Sequence, residues 1–225
     1  MTAAYGDGEQ VDESAVKPRL RGVLHEGGFF AAIIVAPILI LSADAFRARV
    51  AAAIFACSVA TCFGVSALYH RVTWSHGLRR LMRRLDHAGV YLLIAGTYTP
   101  VALLVLNGEF GRVILTVVWA GALVAILLKV VWVDAPKWVA AGAGLALGWV
   151  AVVALPQLVH RLQPAALALL IAGGLLYSAG AIVYARRKPD PVPAVFGYHE
   201  VFHALTIVAA TCQYLAIGLF VIPRA

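Results

Sequence analysis

Charged side chains are scarce in this chain: Asp, Glu, Lys and Arg make up 13% of its 225 residues, about half the share usual in soluble domains. With 62% hydrophobic residues and a mean hydropathy of +0.88, this scarcity excludes a water-soluble domain of ordinary composition and places the chain in a bilayer. Cysteine is scarce as well. Cys57, Cys62 and Cys212 are odd in number, lie in apolar stretches and form no C-x-x-C pair. They exclude both a disulfide framework and a thiolate metal site, and read as buried structural thiols. Residues 1–20 contain no apolar run ending in a small-residue cleavage site, so no signal peptide is expected. They are polar and read as a disordered cytoplasmic tail, leaving 21–225 as one domain.

What the chain does have is long apolar runs. A membrane helix needs about 20 mostly apolar residues, and the sequence predicts seven spans: Leu24–Leu41, Val50–His70, Asp86–Leu106, Val113–Val133, Lys137–Leu155, Ala165–Tyr184 and Gly197–Ile222. The fold class expected is therefore an all-α membrane protein, a seven-transmembrane helix bundle. Most connections are short; the exceptions are a basic loop from Arg71 to Leu85 and the Pro-rich stretch KPDPVPAVFG from Lys188 to Gly197. No soluble domain fits between any two spans. Small residues at close spacing, such as Gly144 with Gly148 and Gly173 with Gly180, favour tight helix contact.

Lys and Arg fall unevenly on alternate sides, thirteen against five. The richer side includes Arg71, Arg79, Arg80, Arg83, Arg84, Lys129 and Lys137, so the positive-inside rule predicts a cytoplasmic N-terminus and an external C-terminus. The net charge of +7 then reads as a topology and anionic-lipid signal. No nucleic-acid partner is expected, because the basic residues are scattered among loops.

An ionisable group inside a span costs on the order of 2.5–3.5 kcal/mol on insertion scales, so each one needs a reason. His199 and His203 are one turn apart on the last span and share a face. Ser66 and His70 repeat that spacing at the end of the second span, and Asp86 opens the third. At 1.5 Å per residue all five fall within roughly two turns of the cytoplasmic edge. Each has an ordinary explanation when taken alone. Asp86 can cap the third helix, Ser66 can bond back to the Cys62 carbonyl, and a lone histidine at a helix end is commonly a satisfied packing residue. Their agreement in depth points instead to a metal site, since three imidazoles with an open fourth position are the ligand set of catalytic zinc. His25 lies at similar depth without a partner on its own helix, and His87 points about 100° away from Asp86. His76 and His160 read as solvated loop residues.

The stretch YHEVFH from Tyr198 to His203 also spells H-E-x-x-H, in which soluble zinc proteases use both histidines as ligands and the Glu as base. On that alternative Glu200 activates water and the protein is an intramembrane metalloprotease. It leaves the Ser66–His70 pair without a role.

Four motifs in order, SALYH (Ser66–His70), RLDHAG (Arg84–Gly89), AGTYTP (Ala95–Pro100) and FGYHEVFH (Phe196–His203), resemble the hemolysin III family, the bacterial branch of the progestin and adipoQ receptors that include the adiponectin receptors. The resemblance runs from Arg21 onward and implies seven helices with the N-terminus inside. It implies zinc held by His70, His199 and His203, with Asp86 as a further ligand through a bound water and Ser66 lining the site. Glu200 becomes a neighbour without an assigned role. The expected chemistry is zinc-dependent hydrolysis of a lipid amide or ester, as the ceramidase-like activity associated with the eukaryotic relatives implies, with Asp86 and Ser66 as the catalytic groups and a membrane lipid as substrate. A sensor or receptor with structural zinc, and a cytolytic pore, remain the alternatives.

Overall fold

The computed structural model describes residues 18–224; residues 1–17 of the expected tail lie outside the described residues. Residues 19 and 20 are tied down, with Arg19 and Leu20 donating backbone hydrogen bonds to the carbonyls of Ala194 and Val195. The helices are α1 (Val23–Leu41), α2 (Phe46–Arg71), α3 (His76–Leu104), α4 (Gly108–Val131), α5 (Lys137–Gly148), α6 (Ala151–Arg161), α7 (Pro164–Arg186) and α8 (Tyr198–Ala216). A π-helical turn, Ile217–Val221, extends α8 into a short 3-10 turn. Among the described residues there is no strand, and seven helical segments are long and apolar enough to cross a membrane, α5 and α6 together making one of them.

The helices close a ring: α1 packs on α2, α2 on α3, α3 on α4, α4 on α5, α5 on α7, α7 on α8 and α8 back on α1. Phe30, Ile34 and Ile38 of α1, Val113, Val117 and Val124 of α4, and Leu175 and Ile182 of α7 face outward without cover. Branched aliphatics in such numbers on the outside of a bundle are what lipid, and not water, accommodates. Inside, Phe55, Leu39 and Ile217 pack where α1, α2 and the end of the α8 span meet, while Val118, Ile114 and Leu158 fill the α3–α4–α6 side.

Three expectations are corrected. The basic loop is helical from His76, so α3 begins ten residues before Asp86 and Asp86 is no N-cap. The arginines of those extra turns hid the helix, because a hydropathy reading registers only the part of a helix that sits in hydrocarbon. Lys129, counted as a loop charge, is buried on α4. Of the three cysteines only Cys62 is buried; Cys57 is exposed and Cys212 intermediate, since a thiol is apolar enough to face lipid.

The fifth span breaks at Trp149 and Val150, which frees backbone groups that hydrocarbon cannot satisfy. Tyr98, in the AGTYTP motif of α3, repairs the break. Its hydroxyl donates to the Gly148 carbonyl at 2.6 Å and accepts the Ala151 amide at 2.7 Å. Its neighbour Thr99 donates to the Ala95 carbonyl and accepts the Trp119 indole N–H, and a Cβ on Gly96 would collide with the Ser58 hydroxyl of α2. The motif is thus a packing device. Replacing Tyr98 with Phe is expected to cost about 1–3 kcal/mol, the penalty for orphaned buried backbone groups, read as a lower melting temperature of the detergent-purified protein.

Candidate metal centre

The end of α2, the interior of α3 and the start of α8 meet here. The last turns of α2 carry Ser66 and His70, the third turn of α3 carries Asp86, and the first two turns of α8 carry His199 and His203. The start of α8 is fixed by side chains that satisfy its free amides. Glu200 accepts the Gly197 N–H at 2.9 Å and Asp190 accepts the Tyr198 N–H at 2.8 Å. The end of α2 is fixed by close approach: Gly22 adopts φ +82°, and a Cβ there would lie 2.7 Å from the His70 Cβ. A side chain at residue 22 would be strained by its backbone and would push His70 out of place.

The ligand atoms of His70, His199 and His203 all lie within 4.8 Å of one another. The Nε2 atoms of His70 and His199 are 3.1 Å apart, against about 3.3 Å for two imidazole nitrogens sharing one tetrahedral zinc. The Nδ1 of buried His203 has no hydrogen-bond partner among the described residues. Three neutral imidazoles converging in this way fit a divalent metal, and the three could hold one. Asp86 stands outside this triangle, its Oδ2 lying 3.8 Å from the His70 Nε2, too long for a hydrogen bond. Ser66 and Asp86 both line the cavity beside His199 and His203.

The centre opens into a cavity of about 420 Å³, within the range of small-molecule sites. Its walls include Ser66, Asp86, His199 and His203 at one end, Leu145, Val152 and Ile171 along its length, and Gln213. Apart from the centre, the walls are almost wholly apolar.

Glu200, the middle residue of H-E-x-x-H, does not join the imidazoles. Its carboxylate is fully buried, with Oε1 2.7 Å from the Arg21 guanidinium and Oε2 on the Gly197 amide. Both oxygens are engaged, in a latch that ties the segment before α1 to the start of α8. Lys137 at the start of α5 reaches the same region, donating to the Tyr198 hydroxyl at 2.7 Å.

Sequence reasoning missed two arrangements. His25, left without a partner on its own helix, stacks on His203 with ring centroids 3.7 Å apart and 10° between planes. His87 is at the cavity wall after all. His76 and His160 are exposed, though both lie on helices. The latch carried a faint signal, a basic residue just before the first span and an acidic one opening the last, but no spacing rule relates residues so far apart in the chain.

Known proteins agree with this architecture. A family model described as "Haemolysin-III related" matches residues 13–214. The "Hemolysin-3" of Bacillus cereus is 31% identical over 205 residues, covering 88% of this chain and 90% of the relative. The "Hemolysin-3 homolog" of Bacillus subtilis (strain 168) is 32% identical over 164 residues, 70% of this chain and 74% of that one. The "Heptahelical transmembrane protein ADIPOR2" of Oryza sativa subsp. japonica is 33% identical over 183 residues, 74% of this chain and 80% of the plant protein. With its seven apolar helices and this match along almost its whole length, the chain is a multi-pass membrane protein that belongs to the haemolysin-III-related family.

Proposed function

We propose that the protein is a zinc-dependent hydrolase that cleaves an amide or ester bond in a membrane lipid, with its centre near the cytoplasmic face. The observation that carries this reading is the junction of a three-imidazole triangle and the neighbouring Asp86 carboxylate with an apolar cavity. A lipid's chains suit the walls, and its polar linkage suits the end where Asp86 and the histidines converge. The cytoplasmic placement rests on the thirteen-to-five bias of Lys and Arg and on the arginines that precede Asp86 on α3.

Zinc held by three imidazoles lowers the pKa of water towards about 7 and polarises a carbonyl. The chain's own groups do the rest. His70, His199 and His203 would hold the ion beside the cavity. Asp86, with Ser66 beside it on the cavity wall, takes the proton that the attacking water gives up and returns it to the departing amine or alcohol. The C–N or C–O bond breaks, and a fatty carboxylate leaves with the protonated leaving group. The apolar walls exclude bulk water, which strengthens each of these interactions.

The protease alternative needs Glu200 as base, and the Arg21 ion pair at 2.7 Å weighs against it. The names of the bacterial relatives speak of hemolysis by those proteins. For this chain, liposome leakage without a chemical product would favour a pore over the hydrolase.

Elemental analysis of detergent-purified protein is expected to give about one zinc per chain in the wild type and in Glu200→Gln, and a loss of most of it in His70→Ala and His203→Ala. Glu200→Gln is expected to melt at a lower temperature, because Arg21 loses its partner. Asp86→Asn should keep the metal and lower lipid hydrolysis by about 10²–10⁴-fold, the usual contribution of a positioned acid–base group; metal lost from that variant would make Asp86 a direct ligand. Purified wild type that holds zinc but cleaves nothing across a broad panel of lipid amides and esters would refute the hydrolase and leave a sensor.

A further inference from the structure

Outside the metal triangle and the Asp86–Ser66 pair, the polar group most in need of an explanation is His25. It is 3% exposed, it lies on α1, and it shares the cavity wall with Ser66, Asp86, His199 and His203. Neither ring nitrogen has a hydrogen-bond partner among the described residues. A neutral imidazole always presents one N–H donor and one bare nitrogen acceptor, and buried groups of this kind are rarely left unmatched. Its faces are spoken for by aromatic contacts, His203 at 3.7 Å and Phe63 at 4.8 Å between centroids. The polar edge of the ring is what remains for another molecule.

His25 does not complete the metal triangle. An imidazole lone pair lies in the plane of its ring, and the rings of His25 and His203 are 10° from parallel at 3.7 Å. Two rings stacked in this way aim their lone pairs along parallel planes that do not meet at one ion. The residues whose ligand atoms converge are His70, His199 and His203, without His25.

We propose that His25 is a lipid-recognition residue: its ring edge hydrogen-bonds an oxygen of the linkage or head group of an amphiphile whose chain fills the cavity. This rests on the reading of the cavity as a lipid site. Hydrocarbon walls hold chains of many kinds, so a polar contact beside the histidines is what would separate an acyl lipid from a plain hydrocarbon and fix how far the chain slides in. Stacking on His203 sets that contact beside the metal centre, where the linkage must sit to react.

The test is binding of hexadecanol, which offers one polar oxygen and cannot be hydrolysed, against hexadecane, which offers none, in mixed micelles. Wild type, His25→Phe and His25→Gln are compared by ligand-induced shifts in melting temperature and by zinc content. Phe keeps the stack and removes both nitrogens; Gln keeps a donor and an acceptor. Wild type is expected to prefer hexadecanol, His25→Phe to lose about tenfold of that preference with its zinc intact, and His25→Gln to recover part of it. An unchanged preference in His25→Phe, zinc lost from a folded His25→Phe, or no preference in the wild type would each overturn the inference. A wild type without zinc or lipid cleavage that still selects hexadecanol through His25 would refute the hydrolase and leave the recognition role standing.

Discussion

Hydrocarbon does not solvate polar groups, and most of this structure follows from that constraint. Every imidazole, carboxylate and freed backbone amide inside the bundle must find a partner in the protein or in something the protein binds. The chain answers in part by clustering several of these groups, drawn from the last turns of α2, the interior of α3 and the start of α8. His70 and His199 face each other at 3.1 Å, Ser66 and Asp86 line the same cavity, and Glu200 meets Arg21.

The same constraint separates residues that serve chemistry from residues that serve architecture. Tyr98 closes the break between α5 and α6, and Glu200 caps α8 while anchoring the segment before α1. Both stand in the motifs that mark this family, yet neither touches the imidazole triangle. The short H-E-x-x-H pattern is therefore met here by two side chains with one job and a third with another. Geometry, and not spacing alone, decides which residues act together.

Much of the fold was legible in the sequence because membrane helices announce themselves by length and hydropathy. The convergence of His70, His199 and His203, which could hold a metal ion, was legible for a related reason: imidazoles are costly in hydrocarbon, so three of them near one depth demanded an explanation. What stayed hidden were contacts between helices with no periodic relation. The His25–His203 stack, the Arg21–Glu200 latch and the arrival of His87 at the cavity wall depend on how helices rotate against each other, which spacing within one helix does not specify. The early start of α3 was hidden differently, because its first turns carry arginines and resemble a loop to any reading based on apolar runs.

On the proposed function, three imidazoles from two helices hold one zinc ion and leave a position open to the cavity. X-ray absorption at the zinc edge of the purified protein tests it most directly. The spectrum expected shows three nitrogen scatterers with the pattern of imidazole at about 2.0–2.1 Å and one light oxygen scatterer completing a four-coordinate shell. A sulfur shell, a closed shell of four nitrogens, or a protein that takes up no zinc at all would contradict it.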